Sequence, residues 1–178
     1  MEINENWKNF NDYLSALKTK FRVKAKKALQ QSSELKLVEI SPENCEHQLI
    51  KMTELYQKVS SNAGFNLANF NVATYKDLKR AFGENYLLQS YWIDEKMVGF
   101  LSGLITNNSL DAHFVGIDYS LNKQYAIYQR TLYDYIKIAI DKNLQIIFTT
   151  HSQALLNLDF IAVRHLYQTP TKTLCFNQ

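Results

Sequence analysis

Cysteine, glycine and proline are scarce in this chain: two, five and two among 178 residues. Cys45 and Cys175 stand far apart and in no metal-ligand spacing, which excludes a disulfide framework and leaves two reduced thiols. So little glycine and proline, beside 46% hydrophobic and 13% aromatic residues, excludes a collagenous, low-complexity or disordered chain. No apolar run approaches the roughly 18 residues of a spanning helix. The first ten residues are polar and acidic, unlike the basic start and apolar core of a signal peptide. Histidines and cysteines show no HxH, HxxxH or Cys/His pattern, so no metal is expected. These absences predict a cytoplasmic protein with one domain over residues 1–178 and a core of its own.

What is present is unevenly charged. The formal net charge is +3. Residues 1–27 hold seven cations (Lys8, Lys18, Lys20, Arg22, Lys24, Lys26, Lys27) against Glu2, Glu5 and Asp12, and the rest of the chain is slightly acidic. Trp7, Phe10, Tyr13, Leu14 and Leu17, then Phe21, Ala25, Ala28 and Leu29, recur at helical spacing, which predicts a helix from Asn4 with a bend near Thr19. A strand follows at 35–40. Ser41 and Pro42 then start a second helix to Ser60, with Leu49, Met52, Leu55, Tyr56 and Val59 as its buried stripe. Residues 61–71 read as a loop, and 72–82 as a helix stopped by Gly83. Three strands at 86–93, 97–106 and 109–117, turned at Asp94-Glu95-Lys96 and Asn107-Asn108, form a meander. A long helix over 121–143 leads to an apolar strand at 144–149, of the kind buried inside a sheet. A short helix at 152–158 and a strand near 173–176 complete the divergent tail, 151–178. The fold class is therefore α/β (α+β mixed): a central, mostly antiparallel mixed sheet built on a β-meander, with helices on both faces.

Two clusters carry possible chemistry. Asp111 and His113 lie on the third meander strand, where strict alternation puts 111, 113 and 115 on one face and 112 and 114 on the other. A strand histidine beside a cleft can take the proton of an acceptor amine, and it can equally be a hydrogen-bonded structural residue. The run Lys18 to Lys27 has six cations in ten residues and no acid. Lys20, Arg22, Lys24 and Lys27 are its candidate phosphate contacts, against the plainer reading of a solvated helix face. Cys45 and Ser102 lack the strand–turn–helix setting of a nucleophile.

The motif R-x-K-x-x-K-A (Arg22 to Ala28), the hairpin Y-x-x-D-x-K-x-V-G-F (Tyr91 to Phe100) and the strand HFVGID (His113 to Asp118) come in an order that resembles the Gcn5-related N-acyltransferase (GNAT) superfamily. Within it the chain is similar to the Fem-type branch of cell-wall peptidyltransferases, over roughly Trp7 to Phe148. The resemblance implies transfer of an acyl or aminoacyl group from acyl-CoA or aminoacyl-tRNA to a small-molecule or peptidyl amine. It also implies a backbone N–H near Val115, Gly116 and Ile117 that polarises the carbonyl. Gln124, Tyr125 and Tyr128 fall where the donor's phosphates meet a helix N-terminus. There the family's CoA-binding members carry Q/R-x-x-G-x-G/A, whose glycines let backbone N–H groups reach phosphate. Here Ile127 and Gln129 replace those glycines, so weak acetyl-CoA binding is expected. Fem-type enzymes also pair two such domains, where this chain carries one. The alternative function is a non-catalytic GNAT-like binding module, or a degenerate half of a Fem-type protein. The basic helix then suggests tRNA as a partner.

Overall fold

A computed structural model describes residues 3–62 and 69–147, together with the backbone of 164–168 and 173–177. Its elements run α1 (Phe10–Ala16), α2 (Thr19–Gln31), β1 (Lys36–Glu39), α3 (Pro42–Asn62), α4 (Thr74–Phe82), β2 (Tyr86–Ile93), β3 (Lys96–Thr106), β4 (Ser109–Ile117), α5 (Tyr119–Tyr125), α6 (Ile127–Asp141), β5 (Gln145–Ile147), β6 (Arg164–Gln168) and β7 (Thr173–Asn177). Strands β1 to β5 form one sheet in sequence order. The first three pairings are antiparallel and β4–β5 is parallel, while β6 and β7 form an antiparallel pair. Among the described residues no helix is long and apolar enough to cross a membrane.

Both faces of the sheet are covered. Tyr13, Ala25, Tyr135, Ile136 and Ala139 of α1, α2 and α6, with Leu17 between the first two helices, pack with Val98, Leu101, Leu110 and Ile117. On the other face Met52, Leu55 and Tyr56 of α3 and Tyr75 of α4 pack with Tyr86, Leu88 and Phe100. The meander and the turns at 94–95 and 107–108 match the sequence reading, with Asp94 and Asn107 in the left-handed region that suits Asp and Asn. Gly83 (φ 55°) closes α4 as expected.

Two predicted long helices are each broken. The first splits at Leu17 and Lys18, both extended (ψ 140° and 143°), and it starts at Asn9 instead of Asn4. Asn9 and Asp12 form a reciprocal capping box there. The break turns both apolar stripes onto α6, and the Arg22 guanidinium donates to Ser15 O (3.0 Å) across it. The second splits at Ala126 (φ 46°, ψ 40°), between α5 and α6. Strand β5 is also less central than its apolar sequence suggests. Among the described residues it pairs with β4 alone, and Ile147 is 59% exposed. Residues 148–149 of the predicted strand, the short helix at 152–158, and Phe65 and Leu67 of the loop lie outside the described residues.

Candidate active site

Ser109, Leu110 and Asp111 of β4 pair in parallel with Gln145, Ile146 and Ile147, the last of which ends the described part of β5. From Ala112 to Ile117, β4 has β3 as its strand neighbour and no other among the described residues.

That stretch is also bulged. Leu101 faces Val115 and Gly103 faces Ala112, so His113 and Phe114 together oppose Ser102. The bulge overturns the strict alternation expected for this strand. Phe114 turns to the same face as His113, its ring against Tyr56 (5.5 Å) and Phe70 (4.7 Å, stacked), while His113 meets Tyr86 at 6.0 Å. Val115 moves to the opposite face, with Ile117, against the core beside α6. Phe114 stays 42% exposed.

A buried polar cluster holds the bulge in place. Ser102 Oγ donates to Phe114 O (2.7 Å) and lies 3.1 Å from the Tyr75 hydroxyl. The Tyr135 hydroxyl donates to Ser102 O (2.6 Å) and accepts from Ser102 N (3.2 Å). Burial pushes the pKa of Tyr75 and of Tyr135 well above the usual phenol value, so both stay neutral donors. Burial raises Tyr86 as well, to about 12. In sequence Ser102 reads only as a serine without a nucleophile's setting, and scattered tyrosines look like packing. A serine inside the apolar run FLSGLI was the available signal. Tyr135→Phe should cost about 1–3 kcal/mol, because it strands the buried Ser102 N–H and C=O, a loss urea unfolding would register.

The expected site residues fall into separate groups. Asp111 and His113 share a face of β4. Burial lowers the His113 pKa below its usual value, and the Asp111 carboxylate pulls the other way. Asp111 Oδ1 is buried without a hydrogen-bond partner among the described residues. Gly116 packs against α3 with no room to spare, since a Cβ there would lie 2.2 Å from Phe100 Cε1 and 2.8 Å from Leu55 Cβ. Gln124 is exposed on α5. Tyr125 faces the β2–β3 turn beside Asp94 and Lys96, whereas Tyr128 faces α2, so these two do not share a site. The missing glycines have a structural counterpart at the start of α6. Asn122 Oδ1 accepts from Tyr128 N (2.9 Å), so the protein's own side chain fills one of the N–H positions a phosphate would use. Of the cationic quartet, Lys20, Lys24 and Lys27 lie on one side of α2. Arg22 is on the other, where its guanidinium donates to Ser15 O.

At the end of β4, Asp118 is 3% exposed and caps α5, accepting from Ser120 N (3.2 Å) and Ser120 Oγ (2.6 Å). Lys96 (3.2 Å) and Lys58 (3.6 Å) bring their ammonium groups to it. Burial alone would raise its pKa; the Ser120 and Lys96 hydrogen bonds and the two lysine charges overcome that and hold it at about 2. A carboxyl with a depressed folded pKa stabilises above its unfolded value, near 3.8, and that stability disappears as pH falls toward 2. Asp118→Asn should therefore lose on the order of 2 kcal/mol at pH 7 and differ little from the parent at pH 2, as read from urea midpoints at both pH values.

No protein-family profile and no curated sequence matches this chain. Solved structures do. An acetyltransferase from Trypanosoma brucei superposes with TM-score 0.55 at 16% identity, over 76% of this chain and 98% of its own. An aminoglycoside acetyltransferase from an uncultured soil metagenomic sample, solved with sisomicin, gives 0.52 at 16% over 77% and 97%. A possible acetyltransferase from Clostridium difficile gives 0.52 at 14% over 76% and 96%. This is the GNAT fold. The mixed sheet with its meander and flanking helices is the architecture that the sequence resemblance implied.

Proposed function

We propose that this GNAT-fold chain transfers an acyl group from a thioester or another activated donor to an amine. The observation that carries the reading is the bulge of β4, which sets His113 and Phe114 on one face beside Tyr86, Tyr56 and Phe70. From Ala112 on, β4 has no strand neighbour but β3 among the described residues, and an amide-bearing donor arm can add there as a strand adds to a sheet. The amine's lone pair attacks the carbonyl carbon, the new C–N bond forms, and the bond to the leaving group breaks. His113, neutral at pH 7 because its pKa is lowered, takes the amine proton. A backbone N–H within Val115 to Ile117 is the proposed donor to the oxyanion, and the Asp111 carboxylate, on the same face, favours the imidazolium as it forms. Beside the aromatic rings of Tyr56 and Phe70 a hollow of about 330 Å³ is lined by Thr53, Gln57, Ser60, Ser61 and Asn69 as well, an uncharged polar and aromatic surface among the described residues that suits a small amine.

The Asn122 cap decides how the donor is held. With one N–H of α6 already taken, phosphates add little, so the reaction should depend on the acyl arm alone. Amine-dependent release of thiol is the measurement, with acetyl-CoA compared against the phosphate-free thioester acetyl-N-acetylcysteamine. We expect turnover of both, with kcat/KM within about tenfold. A 10³-fold preference for acetyl-CoA would mean that the α6 terminus does bind phosphate. An aminoacyl-tRNA donor, as in the Fem-type branch, predicts transfer from charged tRNA and from neither thioester. The filled α6 terminus also favours a second reading, a module that binds an acyl donor or amine without chemistry. That reading predicts binding by calorimetry with no product from any of the three donors.

A further inference from the structure

β1 (Lys36–Glu39) ends the sheet on the side away from β4 and β5, and among the described residues its strand neighbour is β2 alone. The pairing fixes which way its backbone points. Ile40 N donates to Leu88 O (2.9 Å), in the register that sets Lys36 against Trp92 and Val38 against Ser90. Bonded residues alternate along an antiparallel pair, so Lys36, Val38 and Ile40 turn their N–H and C=O groups toward β2. Leu37 and Glu39 turn theirs outward. An edge of this kind is commonly blunted by a proline or a bulge. β1 has no proline, and it pairs with β2 without a shift of register. Its outward surface is apolar at the centre, where Val38 is 46% exposed. On α4, which Lys79 ties to Glu39 (2.7 Å), Phe82 is 45% exposed one turn further on.

This edge is complementary to itself. We propose that β1 pairs antiparallel with β1 of a second copy of this chain, about a two-fold axis at Val38, joining the two sheets into one. Leu37 of each copy exchanges backbone hydrogen bonds with Glu39 of the other. Val38 then faces its own counterpart in a non-bonded pair, with Cβ atoms about 4.5–5.5 Å apart. Charge selects the direction. Lys36 and Glu39 stand at opposite ends of the strand, so an antiparallel copy brings each lysine to the other's glutamate end. A parallel copy would set like charges together. A strand of four residues buries little area, so the dimer is weak, with a dissociation constant on the order of 10–100 µM. The edge lies across the sheet from β4, so the proposal stands whether or not the transfer reading holds.

Sedimentation velocity of the full chain between about 5 and 500 µM should show the mass rising from one copy to two. Val38→Lys sets like charges face to face on the axis and should weaken the dimer at least tenfold. Its thermal midpoint in dilute solution should match the parent's, because the side chain is exposed. Val38→Cys should form a disulfide-linked dimer under mild oxidation in concentrated solution, where the parent treated alike does not. Amide exchange followed by NMR reads the parent chain itself, so the test does not depend on either variant folding. The N–H groups of Leu37 and Glu39 should exchange freely in dilute solution and slow at high concentration. Those of Val38 and Ile40, already bonded to β2, should be protected in both. Three results would overturn the proposal: a monomer at every concentration, a dimer that Val38→Lys leaves intact, or Leu37 and Glu39 amides already protected in the dilute monomer. The last would mean that this chain covers its own edge.

Discussion

Arg130→Leu is expected to cost about 3–5 kcal/mol, or roughly 10 °C in thermal midpoint. Arg130 stands on α6, and its Nε–H donates to both oxygens of Asp134, one turn on (3.0 and 2.9 Å). Its Nη1 donates to Ser32 O at the end of α2 (3.1 Å), and Asp134 also accepts from the Tyr91 hydroxyl on β2 (2.8 Å). One ion pair therefore joins the basic hairpin of α1 and α2 to the sheet through α6. The Asp134 side chain is 8% exposed, so losing the guanidinium leaves a buried carboxylate held by a single phenol. Adding Asp134→Leu should recover most of the loss, since an apolar pair of similar volume often matches a buried ion pair. A deficit under 1 kcal/mol would mean that water reaches Asp134 and the pair is a surface one.

The sheet was legible in the sequence because each of its signals is local. Asp94-Glu95 and Asn107-Asn108 mark turns by their own chemistry, and the strands between them alternate or run apolar at strand length. The stripe of α3 likewise repeats every three or four residues. What could not be read depends on partners distant in sequence. Ala126 is a strong helix former that occupies a left-handed position, costing on the order of 1–2 kcal/mol. Nothing in its neighbours marks the break between α5 and α6; packing against α2 and the Asn122 contacts impose it. The break at Leu17 and Lys18 falls where a bend near Thr19 was expected, and it lets both halves reach α6.

The bulge is the instructive failure. Its cause is Ser102, eleven residues before His113 and on another strand, with Tyr75 and Tyr135 arriving from two different helices. Strict alternation would leave Phe114 facing α6. With one extra residue Phe114 instead builds the wall beside Tyr56 and Phe70, and the histidine and the aromatic wall come to share one face. The same shift explains why Val115 cannot share that face with Asp111 and His113. It contributes its side chain to the core.

If His113 is the base, His113→Gln should lower kcat/KM for amine acylation by about 10²-fold or more with the fold intact. The imidazole is exposed, so its replacement removes little packing. An arylamine acceptor, which does not bind a proton across the working range, lets the enzyme's own titration be seen. His113 is active when neutral, and its pKa lies below the usual 6.5 because burial disfavours the imidazolium, with Asp111 opposing. The rate should hold level from pH 8 down through 6.5 and fall only below that, as the imidazole gains a proton. In His113→Gln the residual rate should show no such limb. Asp111→Asn should move the limb further down, because the carboxylate that favours the imidazolium is gone, while changing the plateau less than His113→Gln does. A rate unchanged in His113→Gln, or one that keeps the same limb, would assign proton transfer to water or to the substrate and leave His113 as a wall of the acceptor site beside Tyr86.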